Sequence, residues 1–159
     1  VTLSVAGLPK LGYDSGSGAE RTLSVAAKAA GKKLEGLETP DQQLGYFDDL
    51  PEPLQIEFLV STIDDFPKMG SELDKMVASW AAGDPAALAA TLNESMRATP
   101  AIGKRLLSDR NARWAEWIDQ RMRSPGNIFI AVGAGHLAGA DSVQAWLAKR
   151  KLTAKRIRY

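Results

Sequence analysis

The stretch from Asn127 to Gly133 constrains this chain more than any other. Ile128, Phe129, Ile130, Ala131 and Val132 are apolar without alternation, between the helix-breaking pair Pro125 and Gly126 and the turn-forming sequence Gly133, Ala134, Gly135. Unbroken apolarity over the length of a strand marks one covered on both faces, as in a parallel sheet flanked by helices. The residues downstream fit that pattern: Val143, Trp146 and Leu147 recur at helical spacing from Asp141 to Arg150, and Thr153 to Arg158 reads as a strand. The end of the chain therefore predicts a βαβ unit, and the whole an α/β fold, rich in helix, with a small mainly parallel sheet.

Two further strands are expected upstream, over Thr2 to Ala6 and Lys33 to Leu37. They are separated by a Gly-rich loop from Gly12 to Gly18 and a helix through Leu23, Ala26, Ala27 and Ala30 that ends at Gly31. Pro51 and Pro53 open a helix with Leu54, Phe58, Leu59 and Ile63 on its inner face, and Pro67 closes it. Leu73, Met76, Val77 and Trp80 give the stripe of a helix from Ser71 to Ala82. Asp84 before Pro85 and Thr99 before Pro100 each place a side-chain acceptor at the N-cap and a proline where its missing N–H costs nothing. The helix after Asp84 should bury Leu88, Leu92 and Met96. The one after Thr99 should reach about Arg123 and turn Leu107, Trp114, Ile118 and Met122 inward.

With 159 residues, 45% of them hydrophobic and 25% charged, the chain has the size and composition of a single globular domain. No apolar run approaches the roughly 20 residues that span a bilayer. The absence of cysteine removes disulfides, thiolate metal sites and a Cys nucleophile, and a single histidine removes any His-rich metal site. The net charge of +1 conceals a segregation: residues 35–94 hold thirteen acidic and two basic side chains, residues 95–159 thirteen basic and four acidic. The basic end reads as a solvated helix end and edge strand, so nucleic acid is not an expected partner. The chain begins at Val1 without a leader-like segment, and the expectation is a processed or excised portion of a longer protein.

In open α/β sheets, ligands bind beyond the carboxyl ends of the strands, which directs attention to Gly133, Ala134, Gly135, His136 and Leu137. An imidazole on that turn can ligate a metal, serve as general acid or base, or help to hold an anion, and a surface histidine on a tight turn is the plainer reading. The same residues match a loose GxGxxA dinucleotide fingerprint, but no acidic residue lies about 20 positions on to take the ribose, and the match is weak. Glu38, at the end of the expected Lys33 to Leu37 strand, is either a metal ligand or base, or an acid favoured by the dipole of a helix starting near Pro40. Gln42 and Gln43 orient a ligand or solvate that helix. Asn111 lies four after Leu107 and three before Trp114, on a stripe that should be buried, where an amide must find partners. Arg110, one step round, can clamp a carboxylate or phosphate.

The order GLET (36–39), RN (110–111) and GAGHL (133–137) resembles the TraB/PrgY/GumN family, whose relatives include the Tiki proteins. GYDSGSGAERTL (12–23) and GLETPDQQLGYFDDLP, with Gln43, also fit its pattern over nearly the whole chain. Of the family's two GxxH motifs only the second, Gly133 to His136, is present, so the chain is expected to be the C-terminal portion of a longer protein, one domain over 1–159. The resemblance implies a fold of two related halves with the site built from both. It also implies a peptidase-like hydrolase dependent on a divalent metal (Mn, Co or Zn), acting on a peptide or small amide or ester, in a periplasmic or exported setting. It would make His136 and Glu38 metal ligands or acid/base groups, Arg110 and Asn111 positioning or carbonyl-polarising residues, and Gln43, Gly133 and Gly135 substrate-binding residues. By itself the chain is expected to be inactive and to hold metal weakly if at all. The alternative is a non-catalytic peptide-binding or regulatory module of the cell envelope, and a homodimer through surface exposed by the missing half is a further expectation. On either reading Glu38, Asn111 and His136 should converge on one cleft.

Overall fold

Helix starts follow the local chemistry of the sequence. Thr39 and Gln42 form a capping box: the Thr39 hydroxyl accepts from the Gln42 amide at 3.2 Å, and the Gln42 side chain accepts from the Thr39 amide at 2.9 Å. One carboxylate oxygen of Asp84 accepts from the amides of Ala86 and Ala87, both at 3.0 Å. Ser142 caps the last helix through Ala145. Thr99 departs from expectation, since its side chain makes no cap and only its carbonyl receives the first amides, from Ile102 and Gly103.

The computed structural model describes residues 7–97 and 99–157. Its helices are α1 (Ala19–Ala29), α2 (Pro40–Asp48), α3 (Glu52–Asp65), α4 (Met69–Ala81), α5 (Pro85–Arg97), α6 (Pro100–Gly103), α7 (Asp109–Arg121) and α8 (Val143–Lys149). Between α6 and α7 the chain stays helical but widens into a π turn, Lys104–Ser108. A 3-10 turn, Ala134–Leu137, carries the histidine.

The expected parallel sheet and βαβ unit are absent: no strand forms among the described residues. The segments 33–37, 127–133 and 153–157 run between helices or beyond the last one without ladder partners, while 2–6 and Arg158 lie outside the described residues. Phe129 is 79% exposed, and Ile128, Leu34 and Ile157 are exposed too. Apolarity on both faces reports what a strand needs, not what it has. Without a neighbour to take its N–H and C=O groups, the segment gains nothing from extended pairing, and those groups are left to water.

Burial concentrates where α7 and α8 cross and where α4, α5 and α6 meet. Trp114, Ala115, Val143 and Ala138 are buried in the first region, and Leu88, Ala89 and Ile102 in the second. Ala115 is wholly inaccessible, and its small side chain lets α8 approach α7 closely. Several expected inner faces point outward instead: Leu59 and Ile63 on α3, Val77 and Trp80 on α4, and Met122 after α7 are exposed. On α3 the inward side is carried by Leu54 and Phe58, opposite the Leu59 and Ile63 side. The side chains of Leu92 and Met96 lie outside what is described.

Candidate functional site

The π turn sets the phase of α7. Trp114 lies four after Arg110 and three after Asn111 on α7, so its indole neighbours both side chains, which are themselves one step apart round the helix. Asn111, fully buried, donates from Nδ2 to the Asp141 carbonyl at 2.7 Å, and its Oδ1 lies 2.7 Å from Nδ1 of His136. A carbonyl can only accept, so the Asp141 contact fixes which way the amide faces, and Oδ1 must then receive a proton from the imidazole. His136 is therefore the Nδ1–H tautomer, with the lone pair on Nε2. The turn that presents it closes with a hydrogen bond from the His136 amide to the Gly133 carbonyl, 2.9 Å long.

The indole of Trp114 packs against the imidazole, ring centroids 4.4 Å apart, and turns its N–H toward Glu38 Oε1 at 3.0 Å. Glu38 also accepts from Tyr46 at 2.8 Å, from Arg110 Nε and Nη2 at 2.9 and 2.7 Å, and from Gln43 at 3.4 Å. Its side chain is 4% exposed. Arg110 is held between the Tyr46 and Trp114 rings, 5.2 and 5.0 Å from their centroids, and donates Nη1 to the Leu106 carbonyl in the π turn. Arg113 donates to the Tyr46 hydroxyl at 2.8 Å, so the cluster extends to the edge of α2.

These surroundings set the charge states. Burial pushes the Glu38 carboxyl up, but the hydrogen bonds from Arg110, Tyr46 and Gln43 and the Arg110 charge outweigh it, and the net result lies below the usual carboxylate value. Burial, and then the Arg110 guanidinium, push His136 down from 6.5 to about 4 against a smaller opposing pull from Glu38. The imidazole is thus neutral at pH 7. Between its folded and unfolded values the unfolded chain binds more protons, so stability falls as pH drops from 6.5 to about 4 and this contribution then levels off. Because the chain has one histidine, its ring gives a single, unambiguous NMR titration. The expected result is an Nδ1–H tautomer at neutral pH and a midpoint near 4. An Nε2–H tautomer, or a midpoint near 6.5, would contradict the geometry.

The structure thus brings Glu38, Gln43, Arg110, Asn111, Gly133 and His136 into one cluster, linked through Trp114. Gly135 lies in the same turn and accepts a long 3.4 Å bond from the Ala138 amide. Sequence spacing does not mark Tyr46 and Trp114 as site residues, since an aromatic at helical spacing reads as core. Their one sequence signal is that a Trp N–H or Tyr O–H placed near a buried carboxylate is a natural partner for it.

The family model of the TraB/PrgY/gumN family matches residues 1–156. The chain belongs to that family. No curated protein and no solved structure matches it. In this TraB/PrgY/gumN chain, the divalent metal implied by the resemblance can be tested against donor chemistry. His136 fits, being neutral with a free Nε2. Glu38 does not, since Arg110 holds it in a two-pronged ion pair and four side chains already occupy its oxygens. No group of three His, Asp or Glu side chains able to hold a metal ion occurs among the described residues. That set falls short of the three protein ligands of catalytic zinc.

Proposed function

We propose that the cluster is one wall of a hydrolytic cleft acting on an amide or ester carbonyl, with His136 as the group that engages the attacking water. The observation that carries this reading is the imidazole itself. A buried amide locks its tautomer, burial keeps it neutral, and Nε2 is left as an acceptor. On this reading Nε2 takes a hydrogen bond from water and then its proton as the oxygen adds to the carbonyl. Asn111 holds the ring and stabilises the Nδ1–H that becomes part of an imidazolium. The Glu38–Arg110 pair fixes the adjoining wall. No step is assigned to a metal, because the donor set does not fit one.

A base with so low a pKa is unprotonated across neutral pH but has weak proton-transfer driving force. The acid limb of any hydrolysis should therefore lie near pH 4, rather than at an ordinary histidine value. Assay of the longer protein expected to carry this chain against a peptide and ester library over pH, with and without Mn, Co or Zn, tests the reading, and His136→Ala in it should abolish turnover. A limb near 6.5, or full activity in His136→Ala, removes His136 from the chemistry. The second reading, a module that holds a peptide without cutting it, is favoured by the saturation of Glu38. It predicts peptide binding by fluorescence anisotropy without turnover under any of those conditions.

Titration calorimetry of the chain with Mn, Co and Zn should show weak binding at most, through Nε2 alone, and lost in His136→Ala. Tight stoichiometric binding would mean that Glu38 exchanges Arg110 for a cation.

A further inference from the structure

One face of α3 carries Ile56, Leu59, Val60 and Ile63, spaced i, i+3, i+4, i+7, and each is half exposed or more. That is the pattern of a helix seam, yet nothing among the described residues covers it. Beside it, α2 and α3 enclose an open groove of about 720 Å³, with Leu44 on one wall and Ile56 and Leu59 on the other. The Phe47 and Phe58 rings, 5.4 Å between centroids, brace the floor. The borders are acidic. Glu57 and Asp64 run along one edge of the stripe at a seven-residue interval, and Asp48 and Glu52 stand at the groove. All four are exposed, and from Glu35 to Pro67 the sequence has nine acidic residues and no basic one.

We infer that this groove docks an amphipathic helix of another protein whose apolar seam is bordered by Lys and Arg. The spacing selects a helix, because anchors at i, i+3, i+4 and i+7 meet a like-spaced seam. The charge selects its flanks. A second copy laid α3 against α3 would set carboxylates against carboxylates, and an anionic lipid surface would be repelled by the same border. A basic helix gains at both the seam and the rim.

The test uses the intact chain and a fluorescein-labelled peptide of about three heptads with a Leu seam and Lys flanks, beside its Glu-flanked counterpart. The Lys peptide should bind, and binding should weaken as salt rises; the Glu peptide should not bind. Ile56→Ser with Leu59→Ser, at exposed positions and checked by circular dichroism for unchanged helicity, should weaken binding by about tenfold or more. Glu57→Lys with Asp64→Lys should reverse the preference toward the Glu peptide. Equal binding of both peptides, or binding unaffected by the serine variant, would overturn the inference. So would a dimer in sedimentation that the serine substitutions abolish, or stripe-dependent binding of the chain to phosphatidylglycerol vesicles.

Discussion

Replacing Glu38 with alanine is expected to lower folding stability by about 3–5 kcal/mol, because it leaves a largely buried guanidinium without its counter-ion. The loss is not confined to Arg110. Tyr46, Gln43 and the Trp114 indole each lose an acceptor, and the carboxylate's 4% exposure means water is slow to replace it. Domains are typically stable by about 5–15 kcal/mol in all, so the substitution removes a large share of that margin. Urea denaturation at neutral pH measures it directly. A change under about 1 kcal/mol would show that the pair behaves like an exposed ion pair. Glu38→Gln should fall between the two, since the amide retains one acceptor oxygen but lacks the charge. The lowered carboxyl also gives a sign to the acid response: its contribution is present above the ordinary carboxylate range and lost as pH falls through its own, lower value.

Asn111→Asp is expected to act on the charge state of His136 more than any other conservative change. It sets a carboxylate about where Oδ1 now accepts from Nδ1, and an opposite charge at that range raises an imidazole pKa by about 1–3. The ring should move from about 4 back toward its ordinary 6.5. The same change removes the donor to the Asp141 carbonyl and puts a carboxylate in the fully buried place of the Asn111 amide. Stability should therefore drop by about 1–3 kcal/mol while the histidine becomes more basic. The NMR titration and urea denaturation together read both effects. If the histidine midpoint does not move, Asn111 is not the partner that fixes it. On the hydrolytic reading, the acid limb of the rate moves with the ring.

Much of this cluster is legible in the amino-acid order, and for a physical reason. Asn111 on an apolar stripe has polar atoms that must be satisfied, and the only His stands on a turn bounded by glycines, outside any periodic run. Both inferences depend on local spacing, which the sequence displays. Glu38 stays open in the sequence between a ligand or base and a helix-dipole acid, and its state is not legible there, because that depends on Arg110 more than seventy positions away and on two aromatic rings. Trp114 reads as core, and it is core; its N–H end is what reaches the carboxylate. The strand expected at Ile128 to Val132 shows the opposite failure. Its apolarity describes the residues alone, whereas pairing is a property of two segments, and no partner is supplied within the described chain. Helix positions suffer less, because capping and periodicity are local, although which face of α3 turns inward is not.

The π turn at Lys104–Ser108 has a bearing on how such chains can vary. A turn closed between i and i+5 takes up one residue more than a turn closed between i and i+4, so it absorbs a single inserted residue without rotating the helix on either side. The Pro100 start and the Arg110–Asn111 pair therefore need not keep a fixed separation. A chain shorter by one residue here can run straight through as ordinary α-helix and still aim the guanidinium at the carboxylate and the amide at the imidazole. Homologues are then better aligned on α7 and on the histidine turn than by counting from the preceding proline, and a one-residue gap within 104–108 is a change this site is built to tolerate.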